Sequence, residues 1–258
     1  MYRPRIIPVL LLKGETLVKT VAFKRPNYIG DAINAVHIFN DLRADELVLL
    51  DIEASSQNRC ISTELVKNIG EEANMPFSVG GGIRTLEQIR SLIASGAERV
   101  ILGTIAAENL EFVRQAAEEF GSSTITVCVD VDKPIFGKEQ VYVKNGKIKT
   151  GIDSVTFVQK LESAGAGEIL IQSIKDDGKQ QGYNIDLISK LADAVSIPVV
   201  ALGGAGSLEH MAKLYCSVNI SGLAAGSMFV YQGKHNGVLI NYPEHAEIKT
   251  LFSRLKNT

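Results

Sequence analysis

The sequence has few cysteines, and their arrangement excludes two common kinds of site. Cys60, Cys128 and Cys216 are odd in number and lie far apart in a chain of 258 residues. A disulfide-stabilised fold needs paired cysteines, and a zinc site needs cysteines or histidines at short spacing. The sequence therefore predicts no metal site. Its thiols fit a reducing, cytoplasmic compartment.

An excess of charge of one sign is also absent, as is a long hydrophobic run. The formal net charge is −2 at pH 7, so no basic field predicts binding to nucleic acid or to a membrane surface. The apolar run near the N-terminus is short, contains Pro8 and has no small-residue cleavage site after it, so we interpret it as a buried strand. No linker or low-complexity tract is visible, and the length suits one large α/β barrel as well as two domains.

What the sequence does contain is a stretch that occurs twice. Residues 76–86 read PFSVGGGIRTL, and residues 198–208 read PVVALGGAGSL. At one fixed offset their prolines, glycine pairs and final leucines coincide, and the similarity continues in the apolar runs 99–107 and 221–229. A repeat of this length indicates a duplicated half-domain, because the units of a solenoid are shorter and more numerous.

The glycine pairs Gly81–Gly82 and Gly203–Gly204 each follow an apolar run and precede a helical pattern. Glycine lets the backbone approach a ligand closely, and the N–H groups at a helix start bind anions. Two such sites on opposite halves would hold the two ends of a bis-phosphate. The alternative is that the glycines only make tight turns, but their recurrence at matched places favours phosphate binding.

Strand and helix patterns alternate along the chain. Nearly continuous apolar runs predict buried parallel strands, and apolar residues at helical spacing follow each run. Thr85 and Gln88 predict a capping box at one helix start. Eight strand–helix units in this order predict a (β/α)8 TIM barrel of two similar half-barrels, as a single domain over residues 1–258. The predicted strands begin near residues 5, 46, 77, 99, 124, 168, 199 and 218.

Two segments interrupt this alternation. Residues 13–30 are polar, and we predict a mobile loop there. Asn145–Gly146 lies between two runs of alternating residues, which predicts a type I′ β-hairpin as an insertion near residues 133–150. The alternation resumes after the hairpin and ends with a helical pattern over residues 247–255.

In barrels of this kind the carboxyl ends of the strands build the active site. Asp51 and Asp130 end the second and fifth predicted strands, and a polar group follows the sixth strand at residues 172–177. Asp130 comes after small and apolar residues, so its carboxylate should face the barrel mouth, where a raised pKa suits a general acid or base. For Asp51 a turn cap is the alternative interpretation.

Seven short motifs occur in order along nearly the whole chain and resemble one known family. They are Arg5-Ile6-Ile7, LDI around Asp51, FSVGGGI, CVD ending at Asp130, GAGEIL, DDG and LGGAG. Together they resemble the cyclase subunit of imidazole glycerol phosphate synthase. The resemblance implies a barrel of two similar halves, without a cofactor, that takes ammonia from a glutaminase partner through the barrel centre. It also implies conversion of a ribulose-bearing aminoimidazole nucleotide into imidazole glycerol phosphate and aminoimidazole carboxamide ribotide.

The functional positions of that family carry over residue by residue. Asp130 falls on one of two catalytic aspartates, and Lys19 falls on a loop lysine that contacts substrate. The positions implied to bind substrate and its phosphates are Asp51, Gly81, Gly82 and Thr104 in one half, and Asp177, Gly178, Gly203, Gly204, Ala225, Gly226 and Ser227 in the other. The positions implied to form a charged ring at the ammonia entrance, where the glutaminase would bind, are Arg5, Glu46, Arg99 and Glu168.

Four positions depart from the family in polarity. The second catalytic aspartate is replaced by Leu11, which cannot exchange a proton. Gly103 replaces an asparagine, Leu202 replaces a serine, and Lys175 stands where an aspartate is common. Four such changes around one pocket predict a different acceptor for the ammonia.

Residues 231–243 also depart from the usual cyclase ending. They resemble a branch associated with surface-polysaccharide genes, in which ammonia passes to a third, amidating protein that acts on a nucleotide-linked sugar. The alternative is that this segment only closes the barrel by packing.

We therefore predict an ammonia-conducting subunit for sugar amidation, and two rival hypotheses stay open. The first is a working cyclase of histidine biosynthesis that uses Asp130 alone or with a substitute acid such as Glu15. The second is a non-catalytic scaffold that activates the glutaminase. Leu11 argues against the first, whereas the presence of Asp130, Lys19 and both glycine pairs argues against the second.

Overall fold

The computed structural model describes residues 3–134, 137–233 and 235–254. Strands and helices alternate through these residues. In chain order the strands are β1 (Arg5–Lys13), β2 (Thr16–Val21), β3 (Lys24–Asp31), β4 (Leu47–Asp51), β5 (Phe77–Gly80), β6 (Arg99–Leu102), β7 (Ile125–Asp132), β8 (Gln140–Val143), β9 (Ile148–Asp153), β10 (Glu168–Ser173), β11 (Val199–Leu202), β12 (Gly222–Ala225), β13 (Tyr231–Gln232) and β14 (Gly237–Val238). In chain order the helices are α1 (Ala32–Asp41), α2 (Thr63–Glu72), α3 (Leu86–Ala94), α4 (Thr104–Glu108), α5 (Leu110–Phe120), α6 (Ser154–Ser163), α7 (Ile185–Ala192), α8 (Leu208–Ser217), α9 (Ser227–Val230) and α10 (His245–Arg254).

Eight of the strands run parallel and close into a barrel. Their order around the barrel is β1, β4, β5, β6, β7, β10, β11 and β12, and β12 pairs with β1. The two halves of the chain join where β6 pairs with β7, from Val100 opposite Ile125 to Leu102 opposite Val127, and where β12 pairs with β1. Because every barrel strand has two neighbours, the barrel itself has no open edge. The predicted (β/α)8 fold is confirmed.

The main core lies between the barrel strands and the surrounding helices. Phe39, Ile69 and Ile89 come from three different helices and are fully buried. Burying one such side chain contributes about 1.5–3 kcal/mol relative to its exposed state, so this layer holds the helices in place. The predicted capping box of Thr85 and Gln88 begins α3. A second, smaller apolar cluster contains Ile7, Val9, Leu11, Val18, Val48, Ile101, Leu170, Val200, Leu202 and Ala224.

The prediction of a mobile loop over residues 13–30 is wrong. β2 and β3 form a hairpin that extends β1, and Leu11 pairs with Val18 across the first turn. Gly14 in that turn has φ of +61°, the left-handed conformation that a two-residue hairpin turn uses. Leu17 and Val18 are buried, so the segment has an apolar face. The lysines and threonines around them make the segment read as polar in the sequence. We refer to residues 16–31 as the mouth hairpin.

A second hairpin is formed by β8 and β9. Asn145 and Gly146 have φ of +58° and +72°, and the Lys147 N–H donates to the Lys144 carbonyl at 3.4 Å, as a type I′ turn requires. β8 extends the barrel sheet beside β7 in antiparallel orientation. Residues 135–136 of the predicted insertion lie outside the described residues. The division of the chain into one domain stays a prediction.

The segment after α9 packs against the N-terminal end of the barrel. The Tyr242 hydroxyl donates to the Ile6 carbonyl at 3.1 Å and accepts from the Asp45 N–H at 3.2 Å. The Tyr242 ring stacks on Phe229 with 5.6 Å between ring centroids. Part of residues 231–243 thus has the packing role given above as the alternative interpretation. Across the described parts of the chain, no helix has the length and hydropathy to cross a membrane.

Candidate active site

A cavity of about 100 Å³ lies at the carboxyl ends of the barrel strands. Both halves of the barrel and both hairpins contribute to its walls. The lining residues are Leu11, Thr20, Phe23, Leu50, Ile52, Ser55, Gly81, Gly82, Ile101, Gly103, Thr104, Cys128, Asp130, Asn145 and Gln172. The fold thus brings the predicted catalytic residue and the first predicted phosphate site together.

Asp130 lies near the end of β7 with its carboxyl group at the cavity. Burial raises its pKa to about 7; a hydrogen bond from the Cys128 thiol, 3.5 Å away, opposes this shift, and the negative charge of Asp177 adds to it. Burial also raises the pKa of the Cys128 thiol, which therefore stays protonated and able to donate. A carboxyl group that titrates near neutral pH can both give and take a proton. This geometry suits the catalytic role predicted for Asp130.

The first half of the barrel has no carboxylate at the matching place. Leu11 pairs with Leu50 across β1 and β4, as Asp130 pairs with Gln172 across β7 and β10. Leu50 and Gln172 are related by the offset that relates the two glycine pairs, so Leu11 is the counterpart of Asp130 on the opposite side of the barrel. Leu11 is buried in the smaller apolar cluster. The cavity therefore has one acid–base group where a duplicated site would have two.

The first predicted phosphate site is open to the cavity. Gly82 has φ of +64°, and a Cβ there would collide with the Arg59 carbonyl oxygen. Gly103 has no atom near the place where its side chain would lie, so replacement of the family's asparagine leaves open space. The Thr104 hydroxyl accepts the Lys144 N–H at 3.1 Å, which holds the β8–β9 hairpin over this site.

The second predicted phosphate site is formed by the matching glycine pair and by the residues that join β12 to α9. Gly203 and Gly204 have φ of +97° and +104°. Ala225 ends β12, Gly226 follows, and Ser227 begins α9. These residues do not line the cavity. The side chain of a hairpin lysine occupies the space beside them.

That side chain is Lys19, which is 5% exposed. Its ammonium donates to the Val9 carbonyl at 2.8 Å and packs so closely on Gly226 that any side chain at Gly226 would displace it. Burial lowers the pKa of Lys19 to about 8, and the negative charge of Asp177 opposes the shift. A buried cation beside Gly226 is electrostatically suited to an anion. The predicted substrate contact of Lys19 fits this position.

Asp177 fastens the mouth hairpin to the barrel. Its carboxylate accepts from the Thr20 hydroxyl at 3.1 Å and from the Gln172 amide at 3.3 Å, and its carbonyl accepts from the Ala22 N–H at 3.0 Å. Burial raises the pKa of Asp177, and the positive charge of Lys19 opposes the shift. A side chain at the neighbouring Gly178 would collide with the hairpin backbone. Both predicted residues therefore position the hairpin.

Asp51 makes its contacts within the chain and does not line the cavity. Its Oδ1 accepts from the N–H groups of Glu53 at 3.0 Å and Ala54 at 3.1 Å, and its Oδ2 pairs with Arg59 at 2.5 Å. Gly81 packs directly on this aspartate. The structure thus supports the turn-cap alternative for Asp51. Arg59 was missed from the sequence, because an arginine eight residues after a strand end has no periodic relation to it.

The four predicted ring residues do come together at the N-terminal end of the barrel. Arg5 pairs with Glu46 at 2.5 Å and also with Glu168, and Arg99 pairs with Glu46 at 3.2 Å. Burial raises the pKa of Glu168, and the positive charge of Arg5 opposes the shift. Glu46 and Glu168 are related by the same offset as the glycine pairs. The ring is therefore built on the duplication, while its role as an ammonia entrance stays a prediction.

The fold and the site together define a class of protein. They describe a duplicated (β/α)8 barrel with a charged ring at one end and, at the other, an acid–base group between two glycine-rich sites. The profile of the family described as "Histidine biosynthesis protein" matches residues 5–236. The chain belongs to this family, among the cyclase subunits of imidazole glycerol phosphate synthase.

Individual relatives cover almost the whole chain. A protein of Vibrio vulnificus named "Putative imidazole glycerol phosphate synthase subunit hisF3" is 44% identical over 250 residues, which is 96% of each chain. A protein of Pseudomonas aeruginosa with the same name, as hisF2, is 43% identical over 95% of this chain and 97% of its own. The imidazole glycerol phosphate synthase subunit HisF of Alkaliphilus metalliredigens is 38% identical over 90% of this chain and 92% of its own. These likenesses confirm the family, whereas the surface-polysaccharide branch stays a prediction.

Proposed function

We propose that the chain is the barrel subunit of a glutamine amidotransferase in which a separate glutaminase binds the N-terminal face. Ammonia enters through the ring around Arg5, passes along the apolar cluster inside the barrel and reaches Asp130 at the mouth. The observation that carries this proposal is that one barrel has the charged ring at its N-terminal end, an apolar cluster inside and Asp130 at the cavity at its carboxyl end. An apolar interior suits ammonia because moving a neutral molecule out of water costs less free energy than moving an ammonium ion.

The acceptor at the mouth is phosphate-bearing and differs from that of a cyclase. Asp130 has no second acid–base partner, because Leu11 occupies the matching place. Each group in a cooperating acid–base pair contributes about 10²–10⁴-fold to the rate. The proposal is that a third, amidating protein receives the ammonia at this face and transfers it to a nucleotide-linked sugar for surface polysaccharide.

A working cyclase of histidine biosynthesis is the second candidate. It is favoured by Asp130 and by the likeness to the relative from Alkaliphilus metalliredigens. The deciding experiment supplies the purified barrel with ammonium salt and the ribulose-bearing nucleotide and measures imidazole glycerol phosphate. We expect a rate about 10²-fold or more below that of a cyclase with both aspartates. A rate equal to that cyclase's would establish the second candidate.

The ammonia path is tested at the ring with Arg5→Ala, in the complex with the glutaminase and in the presence of the amidating protein and its sugar substrate. The measurement is the incorporation of ¹⁵N from labelled glutamine into the amidated sugar in the presence of unlabelled ammonium salt. Removing the guanidinium leaves Glu168 buried with its main partner lost, so we expect the ring to rearrange and unlabelled nitrogen to enter. Arg3→Ala is the matched control, since Arg3 pairs with Asp45 outside the ring. Equal ¹⁵N incorporation by wild type and Arg5→Ala would refute the gate.

A further inference from the structure

Gln172 is a polar residue at the cavity to which no role has been given above. Side chains two residues apart on a strand share a face, so Glu168, Leu170 and Gln172 follow one another up the inner face of β10. Glu168 belongs to the charged ring, and Gln172 lies about 13 Å further along the strand. It is thus the first polar side chain above the apolar interior on β10. Asp130 lies at the same level on the adjacent strand.

The orientation of the Gln172 amide is fixed by its neighbour. Its Nε2 donates to Asp177 Oδ1 at 3.3 Å. Because a carboxylate accepts and does not donate, the amide nitrogen has to face Asp177 and the amide oxygen has to face away. Within the described residues, no group donates a hydrogen bond to Gln172 Oε1. The fully buried side-chain polar atom without a partner in those residues is Ser154 Oγ, so Gln172 Oε1 is not fully buried. Gln172 Oε1 is therefore an unused acceptor at the cavity surface.

We propose, on the basis of the function proposed above, that Gln172 is a second ammonia-binding residue, whose Oε1 accepts an N–H of the ammonia or ammonium held by Asp130. Ammonia and ammonium are rich in N–H donors, so a site for them needs acceptors placed close together. Asp130 and Gln172 provide two acceptors on adjacent strands at one level. The counterpart of this pair in the first half is Leu11 and Leu50, which provide none. Ammonia is therefore held on one side of the mouth.

Few titratable groups surround this pair. Cys128 lies beside Asp130 on β7, Asp177 lies beyond Gln172, and Lys19 approaches Asp177 from the mouth hairpin. The barrel strands of the first half contribute only apolar side chains to the cavity wall, namely Leu11, Leu50 and Ile101. A bound ammonium ion would thus have Asp130 as its nearest counter-charge, and it would favour the ionised form of that carboxyl group.

The experiment measures the pKa of Asp130 with ammonium as the probe. Protein with ¹³C-labelled aspartate carboxyl groups is titrated by NMR, and the Asp130 signal is identified by its loss in Asp130→Asn. We expect ammonium chloride to lower the Asp130 pKa, relative to sodium chloride at equal ionic strength, in a saturable manner. In Gln172→Met the same pKa shift should need an ammonium concentration at least about tenfold higher, because a hydrogen bond to a cation is lost. Identical titrations in the two salts, or equal ammonium affinity of Gln172→Met and wild type, would overturn the proposal.

Two further variants separate ammonia binding from a merely structural role. Gln159→Met makes the same chemical change on the exposed face of α6 and should keep the wild-type ammonium affinity. Thr20→Val removes the Thr20 hydrogen bond to Asp177 and leaves Gln172 in place, so it should lose less ammonium affinity than Gln172→Met. If Thr20→Val lost as much affinity as Gln172→Met, Gln172 would act only by holding Asp177 and the proposal would fail.

This test can be told apart from the test of the proposed function. A barrel that shows the ammonium effect but incorporates no nitrogen from glutamine would keep the role of Gln172 and refute the delivery function. A barrel that incorporates nitrogen from glutamine but shows no ammonium effect would refute the role of Gln172 alone.

Discussion

The two halves of this barrel agree in their backbone and differ in their chemistry. At one offset Glu46 matches Glu168, and the glycine pairs of both halves have positive φ. The first glycine of each pair packs on the end of the neighbouring barrel strand. Gly81 packs on Asp51 at the end of β4, and Gly203 packs on Ser173 at the end of β10. At the level of the cavity this agreement ends, because the first half presents leucines where the second half presents acceptors. Features that the backbone imposes are shared, whereas the carboxyl group that lines the cavity, Asp130, lies in the second half.

The largest expected effect comes from making the first half resemble the second. Leu11→Asp places a carboxyl group opposite Asp130 at the matching level. We expect imidazole glycerol phosphate formation, from ammonium salt and the ribulose-bearing nucleotide, to rise about 10²-fold or more. Adding Asp130→Asn should abolish the gain, since both groups are then needed. An unchanged rate in a folded Leu11→Asp protein would show that the two halves differ by more than this position.

The fold was predictable from the sequence because both of its signals are local. Buried parallel strands are continuous apolar runs, and the repeat of the glycine pairs indicated the duplication. Asp130 was predicted from its place at a strand end, and the ring from the resemblance to the cyclase subunit. The mouth hairpin was not predictable in the same way, since Leu17 is buried only because β1 continues past the barrel and turns at Gly14. The turn cap of Asp51 was open to the sequence as an alternative because its partners Glu53 and Ala54 are local. The place of Gln172 beside Asp130 depends on pairing between strands, which sequence spacing does not reveal.

The shared backbone predicts equal costs for equal changes in the two glycine pairs. Gly82→Ala and Gly204→Ala each place a Cβ against a carbonyl oxygen at positive φ. We expect each to lower the free energy of unfolding by about 2–4 kcal/mol in denaturant titrations. Gly103→Ala is the control, because the space beside it is open and its φ is −118°. A large cost in only one half would mean that the halves differ in backbone as well as in chemistry.

The buried ammonium of Lys19 predicts a difference in pH dependence. Its pKa is lowered to about 8 from an ordinary value of 10.5, so between these pH values the unfolded chain binds more protons and stability rises with pH. Lys19→Met removes this penalty and should stabilise the protein by about 1–3 kcal/mol at pH 7. The gain should shrink above pH 8 and vanish near pH 10.5.

The control for this prediction is Lys24→Met, on the exposed strand of the same hairpin. It should change stability by a few tenths of a kcal/mol at every pH, as is usual for surface positions. A gain for Lys19→Met that did not depend on pH would show that packing, and not the buried charge, sets the cost of the lysine.

The smallest expected effect tests the shared backbone at its helix starts. Thr85 caps α3 through the Gln88 N–H at 3.2 Å, and at the same offset Ser207 caps α8 through the His210 N–H at 3.4 Å. Gln88 Oε1 accepts from the Thr85 N–H and from the Arg84 N–H, and His210 Nδ1 accepts from the Gly206 N–H, which is the counterpart of the Arg84 contact. Thr85→Ala and Ser207→Ala should therefore each cost about 1 kcal/mol in denaturant titrations, and agree within about 0.5 kcal/mol because the two sites are far apart and equivalent. A cost confined to Thr85→Ala would show that a histidine in place of glutamine does not complete the cap, and would extend the divergence of the two halves from the cavity to the helices that support it.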